Sequence, residues 1–245
     1  MSSIAFAGRV RAPRQPPLLS DPHARGAVAQ RYRSLTGEIG AELARCGRPP
    51  ESVTLVGVSK RQPVTPIVEA IGAGLRDIGE NYLQEARRKF PLLPPVRKHF
   101  IGHVQTNKAK AIVSLFDLVQ SVDRIEAASA LSQAATALGR ELVVLLQLNI
   151  SPSERFGCAP EAAERLAEAV RDCPGLRLEG VMAIGPVSTD RDEISRAFEV
   201  AAKTLARVGG STLSIGMSYD WREAVRAGST MIRIGTALFG GRQQP

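Results

Sequence analysis

VTLVGVSKRQP, residues 53–63, is a β-branched apolar run that stops abruptly at a lysine, an arginine and a proline. Such a run suits a strand buried on both faces, as in a parallel sheet. The way it stops separates two architectures. A doubly wound open sheet follows its first strand with a glycine-rich phosphate turn, whereas Ser59-Lys60-Arg61-Gln62-Pro63 holds no glycine at all. Similar runs recur at Leu75–Asn81, His99–Val104, Asp117–Asp123, Leu142–Asn149, Leu178–Gly185, Thr212–Ser218 and Met231–Phe239. Most gaps between them carry helical periodicity. In Asp192–Val208, for example, Ile194, Ala197, Phe198, Ala201, Leu205 and Val208 return at three- and four-residue steps. Eight strand–helix repeats in this length predict a single closed (β/α)8 barrel of the TIM type. Ahead of the first strand, Ala24–Cys46 reads as an additional N-terminal helix.

Two segments are expected. Residues 1–22 contain Arg9, Arg11, Pro13, Arg14, Pro16 and Pro17 without periodicity, which predicts a disordered basic tail. A transit peptide would also be rich in arginine, but this stretch is short of serine and lacks an amphipathic pattern. Residues 23–245 would then form the barrel domain. Of the 245 residues 44% are hydrophobic and 23% charged, an ordinary balance for a soluble globular chain, and no apolar run is long enough for a membrane span. Three cysteines in no metal-ligand spacing argue against disulfides and zinc, and for a reducing cytoplasm. The formal charge of +8 raises the question of nucleic acid. With aromatic residues at only 4%, a base-stacking platform has little to build on, and the field suits a small anionic ligand instead.

In such a barrel, function gathers at the C-terminal ends of the strands. Those ends provide Lys60, Glu80, Asn81, His103, Asp123, Asn149, Met182, Ser218 and the segment Arg233-Ile234-Gly235-Thr236. A lysine ending a strand is ordinarily a solvated cap. Behind the apolar Val56-Gly57-Val58, Lys60 can instead be a Schiff-base lysine, whose amine must be partly desolvated to attack an aldehyde. Barrels often hold phosphate in the loops after strands seven and eight. There the chain offers Ser214-Ile215-Gly216-Met217-Ser218, with Gly228-Ser229-Thr230 before the last strand and Gly235-Thr236 inside it. Ser218 also reads as an N-cap for a helix over Tyr219–Ala227. Arg233 interrupts an apolar strand, so it is either ion-paired with Asp220 or Glu223, or directed at a pyridine nitrogen. A guanidinium there would leave that nitrogen unprotonated and the ring a weak electron sink.

With these residues go longer matching stretches: LVGVSK at Leu55–Lys60, IGENYLQEA at Ile78–Ala86, HFIGHVQTNKAK at His99–Lys110, SVDR at Ser121–Arg124, LEGVMAIGP at Leu178–Pro186 and LSIGMSYDWREAVRAGSTMIRIGTALFG at Leu213–Gly240. They resemble the pyridoxal phosphate homeostasis proteins, single-barrel relatives of the N-terminal domain of alanine racemase, from about Ala24 to the C-terminus. The resemblance implies pyridoxal 5'-phosphate (PLP) as cofactor and Lys60 as its covalent anchor. It implies that Ser218, Gly235 and Thr236 hold the phosphate, that Arg233 faces the ring nitrogen, and that Asn81 and Met217 line the cofactor. It implies no dedicated reaction, but the holding, buffering or delivery of PLP with effects on amino-acid balance. Partners would be the cofactor and PLP-dependent apo-enzymes, not nucleic acid or membrane, and the state a monomer. Two departures stand out. Lys98 occupies a place often held by tryptophan, and the loop Ser151–Gly157 looks one residue short, with Arg155 where the family carries lysine.

The competing enzyme is an amino-acid racemase. It needs a second base on the far face of the reacting carbon. Alanine racemase takes that base from a partner subunit and shapes its site with a C-terminal β-domain. Here the chain ends five residues after Gly240, so no such domain is expected. Tyr82, Tyr219 and His103 are the nearest candidates for a base. The two tyrosines read as openers of helices, and His103 as a hydrogen-bonded imidazole at a strand end.

Overall fold

The computed structural model describes residues 26–151 and 156–241. The tail expected over residues 1–22 lies outside them, as do Pro152–Arg155 of the shortened loop. Eight parallel strands close into a barrel in sequence order, β1 pairing with both β2 and β8. They are β1 (Thr54–Val58), β2 (Asp77–Glu80), β3 (Arg97–Phe100), β4 (Leu118–Val122), β5 (Leu142–Leu148), β6 (Leu176–Ala183), β7 (Thr212–Ser214) and β8 (Met231–Ile234). The helices are α1 (Ala27–Arg45), α2 (Val64–Gly72), α3 (Leu83–Lys89), α4 (Ala109–Leu115), α5 (Ile125–Ala137), α6 (Ala163–Arg171), α7 (Arg191–Val208), α8 (Trp221–Arg226) and α9 (Thr236–Phe239). The predicted barrel and the extra N-terminal helix are both present.

Three local expectations change. The third strand begins at Arg97 and ends at Phe100, so His103 lies beyond it. The run Met231–Phe239 divides at Gly235, whose φ of −106° and ψ of −83° leave extended geometry, and Thr236–Phe239 turns into α9. Gly235 and Thr236 therefore follow the strand and are not inside it. Finally, α8 starts at Trp221 with Asp220 at its N-cap position, so Ser218 does not cap it.

Most of the core lies between strands and helices, where Ile67, Leu75, Ile78, Phe116, Leu131, Leu146 and Phe198 are buried. Gly57 belongs to that outer layer. A Cβ there would stand 2.7 Å from Leu75 Cδ2 and 3.1 Å from Leu238 Cδ2, so glycine lets β1 sit close against Leu75 and α9. The smaller apolar cluster of Leu118, Val143, Leu145 and Met182 fills part of the barrel interior. Barrel interiors are ordinarily filled by bulky branched side chains. Here His99, Gln120, Gln147, Ser214 and Arg233 are buried as well. Outside, α1 packs on α2, α8 and α9. Its Arg31 donates from Nε to Leu238 O at 2.9 Å and from NH2 to Phe239 O at 3.2 Å, satisfying carbonyls at the end of α9. The rim segment Gly235–Thr236 is thereby held from below.

Candidate functional site

Lys60 sits two residues past β1, half-buried, in a turn whose next residue, Arg61, has a φ of 58°. That left-handed residue is held by its own N–H, which donates to Glu85 Oε2 at 2.8 Å. Underneath, Lys89 Nζ donates to Ser59 O at 2.7 Å and to Glu80 Oε2 at 3.0 Å, and also bonds Glu85. Glu80 is fully buried and accepts further hydrogen bonds from Ser59 Oγ at 3.1 Å and from Asn81 N at 2.8 Å. One buried cation and two carboxylates thus tie together the strand ends that carry Lys60 and Asn81. The Asn81 side-chain oxygen is buried without a hydrogen-bond partner among the described residues. An unmatched acceptor of that kind, next to a lysine, leaves room for a donor from a bound molecule.

On the other side of β1, Gly235 lies beside Val58, where a Cβ built on it would make ordinary van der Waals contact at 3.6 Å from Val58 Cβ. Ser218 accepts from Ala237 N at 3.3 Å, which draws the turn after β7 against the start of α9. Met217, half-buried in the same turn, is anchored by its N–H to Asp220 Oδ1 at 2.5 Å. Gly216 has a φ of 95°, and its Cβ would stand 2.6 Å from that of Ala224, so this turn needs glycine on both grounds. Lys60, Asn81, Met217, Ser218, Gly235 and Thr236 all follow β2, β1, β8 or β7, which are successive neighbours around the barrel. The sequence-predicted residues therefore share one arc of one rim. Ser229 does not join them. It precedes β8 at the opposite end, where its hydroxyl stitches Leu213, Ile215 and Met231 carbonyls.

Arg233 is buried, and no carboxylate among the described residues forms an ion pair with it. Asp220 serves Met217, and Glu223 pairs with Arg191 at 3.2 Å. The structural ion pair weighed for Arg233 is therefore absent. Its NH1 instead donates to Ser214 O at 2.7 Å and Ser214 Oγ at 2.6 Å, and NH2 to Ala183 O at 2.8 Å. These use three of the five N–H donors of a guanidinium. Burial pushes the group down to about 10 against the opposing influence of Asp220, so it stays charged at neutral pH. A buried cation with two donors to spare fits a ligand acceptor. The same burial pushes Asp220 up, in spite of the Met217 N–H and the Arg233 charge.

Two clefts flank the arc. One of about 610 Å³ is lined by Asn81, Tyr82, Glu85, Arg88, His103 and Lys108 among others, and one of about 360 Å³ by Met217, Pro186, Arg191 and Tyr219 among others. His103 is not the satisfied imidazole expected of it. Its Nδ1 is buried without a hydrogen bond, 3.5 Å from Asp123 Oδ2, while its ring stacks on Phe156 at 4.0 Å. Tyr82 and Tyr219 precede α3 and α8, as expected, and are 48% and 82% exposed.

The family model described as the alanine racemase N-terminal domain matches residues 48–243. A Pseudomonas aeruginosa protein named pyridoxal phosphate homeostasis protein is 43% identical over 220 residues, covering 88% of this chain and 96% of its own. The chain belongs to the pyridoxal phosphate homeostasis protein family. An Escherichia coli member is 40% identical over 229 residues, with 88% of this chain and 97% of that one covered. Among solved structures, PipY of Synechococcus elongatus with PLP bound is 34% identical, with a TM-score of 0.76, and covers 87% of this chain and 100% of its own. An alanine racemase from Clostridium difficile, at 16% identity and a TM-score of 0.70, shares the fold. Family membership agrees with a barrel that lacks Gly-rich nucleotide turns. The inward polar side chains of Asp77, His99 and Gln120 carry no signal at the strand ends, and Ser214, expected in the phosphate turn, instead ends β7 with its hydroxyl buried against Gln120 and Arg233.

Proposed function

We propose that this protein binds PLP covalently through Lys60 and serves to hold, buffer or deliver it, without a dedicated reaction of its own. The observation that carries the reading is the arc itself. A half-buried lysine follows β1, a hydroxyl-bearing turn around Ser218 and Thr236 faces it across Gly235, and Arg233 lies between with donors unused. The likeness to PipY, solved with PLP bound, supports the same cofactor. The cofactor would supply an aldehyde to the Lys60 amine and an electron-withdrawing ring. Ser218, Gly235 and Thr236 would hold the phosphate, Asn81 and Met217 would line the ring, and Arg233 would donate to its nitrogen. A guanidinium there keeps that nitrogen unprotonated, which weakens the ring for carbanion chemistry and suits a carrier. The proposed setting is a monomer in the cytoplasm whose partners are apo-enzymes that need PLP; no described helix is long and apolar enough to cross a membrane.

Borohydride reduction followed by peptide mass spectrometry tests the anchor. The expected result is a pyridoxyl-phosphate adduct on the peptide containing Lys60, and an adduct elsewhere or none would refute it. The racemase reading makes a different prediction. Holo-protein with L-alanine, serine, glutamate or lysine in deuterated water should show at most very slow exchange of the Cα hydrogen and no accumulation of the D-isomer. Turnover in the ordinary enzyme range, about 1–1000 per second, would establish the racemase instead.

A further inference from the structure

Five polar side chains from five strands meet inside the barrel. His99 Nε2 lies 2.9 Å from Asp77 Oδ1, and His99 Nδ1 lies 2.8 Å from Gln120 Nε2. Ser214 Oγ donates to Gln120 Oε1 at 2.7 Å, and Arg233 NH1 donates to Ser214 Oγ at 2.6 Å. The chain runs from β2 through β3, β4 and β7 to β8, crossing the interior. All five residues are buried, with His99, Gln120 and Ser214 fully enclosed.

The hydrogens in this chain have one arrangement, and Arg233 dictates it. A guanidinium can only donate. Ser214 Oγ must accept from it, so the hydroxyl hydrogen goes to Gln120 Oε1. That orients the amide, whose nitrogen then donates to His99 Nδ1 and, at 3.2 Å, to Met231 Sδ. His99 Nδ1 is therefore an acceptor, and the ring hydrogen sits on Nε2, directed at Asp77. Burial pushes the imidazole down despite the Asp77 carboxylate, in agreement with a neutral ring. Every link points the same way, from a cation to an anion, so successive dipoles reinforce one another.

We propose that Asp77, His99, Gln120 and Ser214 are positioning residues that form a directional relay across the barrel and fix the Arg233 guanidinium for the ring-nitrogen end of the cofactor site. The proposal rests on the reading that Arg233 faces the ring nitrogen. Ser214 holds NH1 twice, through its carbonyl and its hydroxyl. Gln120 in turn prevents the Ser214 hydroxyl from rotating away, and His99 prevents the amide from flipping. A flipped amide would present its NH2 group to the Ser214 hydroxyl and push hydrogens towards a guanidinium that cannot accept them.

The test compares two probes on cofactor-free protein: PLP, and its carbocyclic analogue with C–H in place of the ring nitrogen. Both carry the aldehyde and the phosphate, and only the first offers an acceptor to Arg233. Wild type should prefer PLP. Ser214→Ala and Gln120→Met should each reduce that preference by about tenfold, the worth of one charge-assisted hydrogen bond, with little change for the analogue. General damage to the fold would weaken both probes equally, and thermal unfolding of each cofactor-free variant shows whether it folds. The milder Ser214→Ala carries the test should Gln120→Met not fold. Wild-type discrimination that persists in the folded variants would overturn the relay while leaving the Arg233 reading intact. Equal binding of both probes by wild type would overturn the Arg233 reading and the relay with it, and no binding of either would overturn the cofactor site as a whole.

Discussion

Lys60→Ala is expected to abolish the borohydride-trapped adduct completely and to weaken retention of PLP by about 100-fold, close to 3 kcal/mol. The loss is not total because the rest of the arc is independent of the lysine. Ser218 is held against Ala237, Arg233 is held by Ser214 and Ala183, and the Gly235 turn is braced by Arg31 through the end of α9. These contacts survive the substitution, so the phosphate and ring ends should still bind reversibly. Equilibrium dialysis measures the affinity, and the absorbance spectrum shows whether the bound cofactor has reverted to the free aldehyde. A trapped adduct that persists at full yield in Lys60→Ala would move the anchor to another lysine. The buried ion cluster below the turn, Lys89 with Glu80 and Glu85, keeps all its members in this variant.

Why the arc was legible in the sequence, and the relay was not, follows from how each is encoded. A parallel strand buried on both faces is a near-continuous apolar run, and the residue that breaks the run marks its C-terminal end. Lys60 and Asn81 stand at such breaks, and neighbouring strands in a closed barrel bring those breaks together without any further information. The same rule placed the third strand too late, because Arg97 and Lys98 at its entrance are polar and only half-enclosed at most. It overran the last strand because Gly235-Thr236-Ala237-Leu238-Phe239 is as apolar as a strand, and only the backbone angles at Gly235 separate the two. Ser218 and Asp220 are both residues that cap helices, and spacing alone does not choose between them. The relay depends on a different quantity. Which inward residues of β2, β4 and β7 reach the same level is set by the stagger of the strands around the barrel. Nothing local in the sequence encodes that stagger, so Gln120 and Ser214, 94 positions apart, cannot be paired from the sequence alone.

Lys89→Met should cost about 3–5 kcal/mol of stability, the loss expected when one partner of a buried ion pair is removed. Methionine keeps most of the unbranched stem and deletes the charge, so packing changes little. What remains is Glu80, fully enclosed, with the Ser59 hydroxyl and the Asn81 and Tyr82 N–H groups as donors but no cation. The Ser59 carbonyl loses the Lys89 donor as well and keeps only the Gln62 N–H. A charge effect and a packing effect are separated by adding Glu80→Gln, which removes the carboxylate. The double variant should recover much of the lost stability, because an isolated buried charge is no longer left behind. If the double variant is as unstable as the single one, the role of Lys89 is steric. The pH profile provides a second discriminator through Glu85. Burial raises its carboxyl, but the hydrogen bonds from Lys89 and the Arg61 N–H outweigh that and hold it below the usual range. A carboxyl lowered in the fold stabilises above the unfolded value of 4.5, and that contribution disappears as pH falls through the folded value. Urea unfolding of wild type and Lys89→Met should therefore differ most near neutrality and converge below about pH 4.5. Because the same cluster fixes Ser59, Arg61 and Asn81 around Lys60, Lys89→Met should also loosen PLP even where the barrel remains folded. A variant that binds PLP as tightly as wild type would show that the turn carrying Lys60 holds its shape without the ions beneath it.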